Sequence, residues 1–232
     1  MDVEAAPKKT DRIAPSPILQ QTAFWGRLKK QQGRRTRAFD IVCRAEQNAA
    51  GSVASRQAED MLVVLRDISA EAQMAYVPFG PELLPDEERR GTWLEELSES
   101  LRPHLPDSCI MIRYDLPWES PWAFDSSRYT QDNWWLGAPK MRVQEMRMNF
   151  DTRYWGLRKA PTDLLPPDTV LLDVDADRDR ILRRMKSKTR YNIRLSARKG
   201  VQIREGGVAD LPAWYALYCD TAARHGMAVD EM

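Results

Sequence analysis

The sequence predicts a mixed α/β (α+β) protein in two domains joined by a proline-containing linker. Three observations carry this expectation. Strand-like and helix-like segments alternate along the chain, the order from which α/β and α+β domains are built. Leu164-Leu165-Pro166-Pro167 interrupts that alternation as the best linker. Beyond it, the stretch from Arg183 to Lys199 carries eight Lys or Arg and no acid, yet places Leu182, Met185, Thr189, Ile193 and Ala197 at spacings of three and four. That is a helix with one narrow apolar stripe and a basic remainder.

The elements follow in order. Met1 to Pro17 mixes charges with Pro and Ala and reads as a disordered arm. Ile18 to Gln32 sets Ile18, Thr22, Trp25 and Leu28 on one helical face, and Gly33 stops it. Phe39 to Cys43 and Met61 to Ile68 read as strands, with an Ala/Ser/Gly/Gln-rich loop between them. Met74 to Val77 is a short strand entering the turn Pro78-Phe79-Gly80-Pro81. Asp86 to Arg102 is a helix capped by Asp86, striped by Trp93, Leu94, Leu97 and Leu101, and ended by Pro103. Cys109 to Tyr114 is a strand that breaks at Pro117, and Ser120 to Gly137 is a long aromatic loop. Lys140 to Phe150 reads as a helix, followed by a segment with Arg153, Arg158 and Lys159.

After the linker, Thr169 to Val174 is read as a strand. The basic helix comes next, with Gly200 as its stop, then Val201 to Arg204 as a second strand. Asp210-Leu211-Pro212 opens a last helix faced by Trp214, Leu217, Tyr218 and Thr221. The expected division is an arm over 1–17, a first domain over 18–165 and a second over 166–232. The second is thin for a self-standing core and reads as the opening part of a larger domain.

Formal net charge is +1, so the basicity is local. No apolar run approaches the roughly 20 residues of a membrane span. Cys43, Cys109 and Cys219 are odd in number and widely spaced, which suits a reducing cytosol and no metal site. His104 and His225 lie far apart in sequence and give a His-centred triad little support.

The wording of the basic helix adds to its chemistry. Lys188-Thr189-Arg190-Tyr191-Asn192-Ile193-Arg194, then Ala197 and Lys199-Gly200-Val201, resembles the signature of the FemABX family of peptidoglycan interpeptide-bridge aminoacyltransferases. Further pieces fall in that family's order: Phe24-Trp25-Gly26 with Leu28-Lys29, the Tyr76 to Pro81 turn, Pro166 to Val174, and Thr221 through Ala223-Arg224-His225-Gly226. The resemblance implies two GNAT-like (acyl-CoA N-acyltransferase-like) domains in tandem, the second incomplete here. It implies an enzyme of the lipid II:glycine glycyltransferase type, in which a side-chain amine of the precursor attacks the ester carbon of an aminoacyl-tRNA. That ester is already activated, so no cofactor is called for. The enzyme must align the partners and stabilise oxyanion charge.

The implied partners are aminoacyl-tRNA and a lipid-linked precursor, met from the cytoplasmic side of the membrane. Both are polyanions, so basic side chains are the physical requirement. Lys29 matches a lysine that contacts substrate phosphate in a relative using a nucleotide-linked precursor. Lys186, Lys188, Arg190, Arg194 and Arg198 are the candidates for phosphate contact, against the alternative of a surface helix paired to acids such as Glu145 or Asp173. Arg190-Tyr191-Asn192 has a structural alternative of its own. Trp134 and Trp135 either stack on a base or sugar or belong to the core. Where that relative has a second phosphate-binding arginine this chain has Asp230, which counts against a UDP-linked acceptor and leaves a lipid-linked one. The groups that family members place near the reacting ester fall beyond Met232. No catalytic residue is therefore named, and the 1–232 chain by itself is expected to be inactive.

Two other classes compete with this reading. One is a non-catalytic module binding tRNA or an anionic membrane surface. The other is a coenzyme-A-dependent acetyltransferase, which lacks its Gly-rich pyrophosphate loop here.

Overall fold

A computed structural model describes residues 2–44, 56–166 and 172–229. The chain divides into two units, residues 1–168 and 169–232. In the first, β1 (Asp2–Lys8), β2 (Arg35–Arg44), β3 (Arg56–Asp67), β4 (Gln73–Pro78) and β5 (Cys109–Asp115) form one sheet in that order. The first four strands run antiparallel and β5 runs parallel to β4. A parallel neighbour needs a crossover, and α2 (Arg90–Leu101) supplies it.

Side-chain alternation sorts the two faces of this sheet. Phe39, Ile41 and Cys43 of β2, Met61, Val63 and Leu65 of β3, and Ala75 and Val77 of β4 are buried in one core with Trp93, Leu94, Leu97 and Leu101 of α2. The opposite face is smaller. Ala38 and Leu62 are buried there with Ile13, and Ala23 and Trp25 of α1 (Ala23–Gln31) pack against them. The run Met61 to Leu65 is apolar throughout because β3 is covered on both sides.

Residues 2–17, expected as a disordered arm, are ordered. β1 pairs with β2 from Asp2↔Arg44 to Lys8↔Ala38, with Val3 and Ala5 buried. The backbone N–H of Ala5 donates to Ser100 Oγ of α2 at 2.8 Å. An edge strand needs few apolar side chains, and the charges at Asp2, Glu4 and Lys8 hid these two in a composition reading. The helix expected over 18–32 is shorter: a single 3-10 turn at Leu19–Gln21 precedes α1. Thr22, in extended backbone, accepts the Trp25 N–H at 3.2 Å and caps α1. The helix expected from Asp86 likewise begins as a 3-10 turn at Glu87–Arg89, without a side-chain cap from Asp86. α3 (Met141–Met148) forms inside its expected range.

The second unit contains α4 (Arg178–Arg184), α5 (Ser187–Arg198) and α6 (Leu211–His225). The strand expected over 169–174 lies partly outside the described residues, and 172–174 carry no strand. Val201–Arg204 is not a strand either. Its side chains alternate, but a strand exists only as a ladder, and among the described residues nothing pairs with it; Ile203 is 98% exposed. The basic helix is two helices. Met185 and Lys186 take extended backbone, with ψ near 150°. A continuous helix would stack Arg184 over Lys188 and Lys186 over Arg190, like charges four apart, which is unfavourable.

Candidate functional site

Basic side chains gather on a surface in each unit. On α5, Lys186 occupies the N-cap position and makes no side-chain cap, and Lys188 lies in the first turn. A helix N-terminus presents unpaired N–H groups and the positive end of the backbone dipole, so two lysines there are unfavourable unless an anion joins them. Lys186, Lys188, Arg194 and Arg198 are exposed. Among the described residues none of the four has an ion-pair partner. Asp173 pairs instead with Arg184 at 3.0 Å, and Glu145 accepts the backbone N–H of Lys159.

Arg190 behaves differently. It is half-buried, and its guanidinium donates to the carbonyls of Met185 and Arg183, closing the end of α4. The structural alternative for Arg190 is therefore the one its geometry supports. α5 has no fully buried side chain.

In the first unit, Lys29 is half-buried and folds back along α1. Its ammonium lies 4.7 Å from the Trp25 ring centroid and donates to Gln32 Oε1 at 2.9 Å. Its neighbours Arg27 and Lys30 are exposed and reach a different place. α1 lies unusually close to the sheet at Gly26, where a Cβ would stand 2.3 Å from Thr10 Cγ2 and 3.3 Å from Leu62 Cδ1. Glycine costs a helix about 1 kcal/mol relative to alanine, and here it permits the close approach. The approach brings Arg27 and Lys30 beside Lys9 and Thr10 after β1 and Thr36 and Arg37 in β2. Together they line an open cleft of about 420 Å³.

Lys8, at the edge of this cleft, is already matched. It lies 2.8 Å from Asp40 and 2.6 Å from Asp60. Burial opposes its charge, but hydrogen bonds to the two carboxylates outweigh burial and hold the ammonium above its ordinary pKa.

The turn after β4 is fixed from behind by buried Gln21. Its Nε2 donates to Pro78 O at 2.6 Å, and its Oε1 accepts the Leu62 N–H at 2.7 Å. The Leu62 position is on β3 beyond the last residue paired with β4, so a side chain replaces the missing ladder partner. Tyr76 donates to Asp115 Oδ2 at 2.7 Å, and burial followed by that carboxylate pushes its phenol pKa well up. Trp134 is 73% exposed, which sets the core alternative aside for that ring, while Trp135 packs 5.2 Å from Tyr129.

A second open cleft, about 500 Å³, is lined by Arg142, Met146, Trp155 and Arg158 around α3. Asn149 holds the loop beside it, donating to Glu145 O and Leu157 O and accepting from Leu157 N. Among the described residues no group of His, Cys, Asp or Glu is placed to hold a metal, and no helix is long and apolar enough to cross a membrane.

The residues missed by sequence reasoning are Lys9, Arg27, Lys30 and Arg37. A signal existed: residues 27–37 hold six Lys or Arg and no acid. The segment crosses from a helix end into a strand start, so no single periodicity ties its charges to one face.

No curated protein matches the chain, and no solved structure does. The model of the FemAB family, by contrast, matches residues 14–231. That span covers β2 to β5 and, among the described residues, the six α-helices. The chain therefore belongs to the FemAB family, transferases of peptidoglycan synthesis that form its bridges.

Proposed function

We propose that the chain serves transfer of an amino acid from aminoacyl-tRNA to the peptide stem of a lipid-linked peptidoglycan precursor, met at the cytoplasmic face of the membrane. The precursor's free amine attacks the ester carbon. A tetrahedral oxyanion forms and collapses, the new amide keeps the amino acid, and the tRNA 3′-terminal hydroxyl leaves with a proton. No covalent enzyme intermediate is required. The work is alignment of two polyanions and stabilisation of transient negative charge.

The observation that carries this reading is the row of exposed cations on α5. Four on α5 (Lys186, Lys188, Arg194 and Arg198) are exposed and unmatched among the described residues. Lys29 adds a cation on α1 beside a basic cleft. These five are the proposed substrate contacts, and Arg190 positions α5 by holding the end of α4. The expectation of a GNAT-like first domain draws support from a mixed sheet whose parallel pair is joined through a covering helix.

The test measures binding of charged tRNA and of a lipid-linked precursor to the 1–232 chain, and follows labelled amino acid into the lipid-linked fraction for that chain and for a C-terminally extended version. Binding of both partners is the expected outcome, with label transferred by the extended version and not by 1–232 alone. Binding of polyanions with the ester left intact by both versions would favour the non-catalytic module instead. Failure to bind either partner at low salt would end the proposal.

A further inference from the structure

The turn after α3 is braced more heavily than a surface loop needs. Glu95 on α2 accepts the backbone N–H groups of Arg153 at 2.6 Å and Tyr154 at 2.9 Å. Buried Thr152 donates to Asn149 O at 2.8 Å, and Arg158 donates to Trp155 O at 2.7 Å. The bracing holds two non-glycine residues in the left-handed region, Asp151 at φ 58° and Trp155 at φ 52°. A bulky side chain is rare there, and such strain persists only where the surroundings impose it.

What the bracing holds outward is aromatic. Tyr154 is 58% exposed and Trp155 is 52% exposed. Trp155 lines the open cleft of about 500 Å³ together with Arg158 and with Arg142 and Met146, which are exposed and four apart on α3. The Arg153 guanidinium carbon lies 5.2 Å from the Tyr154 ring centroid. Covering these rings would remove apolar area from water, and their fixed positions leave little ordering to be done on contact.

The charge around the rings is one-sided. Residues 142–159 hold five Lys or Arg against two acids, Glu145 and Asp151. Glu145, which also lines the cleft, accepts the Lys159 N–H. Arg142 is exposed and, among the described residues, has no ion-pair partner. An occupant must therefore offer negative charge at its surface and apolar matter just behind it. Trp, Tyr and Arg suit that boundary, since each joins an apolar body to a polar tip. An anionic phospholipid bilayer has the two layers in that order over its whole area, so a shallow, open cleft can use it.

We infer that α3 and the braced turn over 149–158 dock on an anionic phospholipid bilayer, with Met146 and Trp155 entering the acyl boundary and Arg142 and Arg158 on headgroup phosphates. The inference rests on the function proposed above only in that a lipid-linked acceptor brings the protein to a bilayer. Vesicles lacking that acceptor test it, so its failure can be told from the failure of that function.

The experiment is co-sedimentation of the 1–232 chain at low salt with vesicles of phosphatidylglycerol and phosphatidylcholine, and with vesicles of phosphatidylcholine alone. Quenching of tryptophan fluorescence by acyl-brominated lipid is read in parallel. The parent is compared with Trp155→Asn, which left-handed backbone tolerates, with Arg142→Gln, and with Lys186→Glu/Lys188→Glu, and thermal melts confirm folding. The parent should bind the anionic vesicles at least about tenfold more tightly than the neutral ones. Arg142→Gln should weaken that binding about fivefold, the effect of one charge near the surface. Trp155→Asn should weaken it at least about fivefold and lose most of the bromine quenching. No binding of the parent to anionic vesicles, equal binding to both kinds, or parental binding in folded Trp155→Asn and Arg142→Gln would each overturn the inference. So would loss confined to Lys186→Glu/Lys188→Glu, which would put the lipid contact on α5.

Discussion

The two basic stretches of this chain look alike as strings and differ as objects. Residues 27–37 and 183–199 hold six and eight cations, and neither holds an acid. The first is backed by a sheet: Gly26 presses α1 onto Thr10 and Leu62, and Arg27 and Lys30 line an open cleft there. The second lies on helices with no buried side chain, and all its charges but Arg190 are exposed. Charge density says that an anion is wanted. Whether it is gripped or only attracted depends on the packing behind the charges.

The strongest way to break the contrast is to remove the support of the first region. Gln21→Ala leaves the Leu62 N–H and the Pro78 carbonyl without their buried partner. The expected loss is about 4 kcal/mol of unfolding free energy, since each orphaned buried group costs about 1–3 kcal/mol. Urea unfolding checks it, and a loss below about 1 kcal/mol would show that water replaces the amide.

The same scaffold carries a titratable weakness. Burial raises Glu59 to about 7 from 4.5, against the pull of the Leu83 N–H, with Glu82 and Asp60 adding repulsion. Its Oε1 is buried without a hydrogen-bond partner. The native state therefore favours the protonated acid more than the unfolded chain does. The resulting stability is complete below about 4.5 and is lost as pH rises through about 7, by about 3 kcal/mol. Glu59→Gln should flatten that slope and leave the protein more stable than the parent at pH 8. Equal slopes in urea midpoints from pH 4.5 to 8 would refute it.

Gly26→Ala tests the approach itself. The added methyl meets Thr10 at 2.3 Å, an overpacking cost of about 1–3 kcal/mol that the better helix propensity of alanine offsets in part. A net loss of about 1–2 kcal/mol is expected in urea unfolding. Parental stability would mean that α1 shifts without consequence.

The smallest effect belongs to the second region. Lys186→Glu/Lys188→Glu should change stability by less than about 0.5 kcal/mol, in the favourable direction, because acids suit a helix N-terminus. Binding of the lipid-linked precursor should nonetheless weaken. A variant that binds the precursor as the parent does would remove α5 from the site.

Much of the first unit was legible because its chemistry is redundant. Apolar runs at Phe39–Cys43 and Met61–Leu65 announce β2 and β3, and Trp93, Leu94, Leu97 and Leu101 announce α2 at helical spacing. What escaped depends on single partners distant in sequence. β1 rests on Val3, Ala5 and a bond to Ser100. Gln21 looks like a surface residue until its two backbone partners are known. In the second unit Val201–Arg204 has the pattern of a strand without a described neighbour, and pattern does not supply a ladder. Arg190 sits among phosphate-binding candidates in sequence, yet its guanidinium closes the end of α4.

The Lys8 clamp has a consequence for how the first unit is assembled. Asp40 and Asp60 stand directly opposite each other on β2 and β3, an arrangement that repels when both are ionised. The ammonium that reconciles them is supplied from eight residues into the chain, and one of its carboxylates is synthesised 52 residues later. The opening segment is thus a latch that can close only after the third strand exists. Proteolytic removal of the segment through Lys8 would cost more than an edge strand, because it would set two neighbouring strands against each other at Asp40 and Asp60.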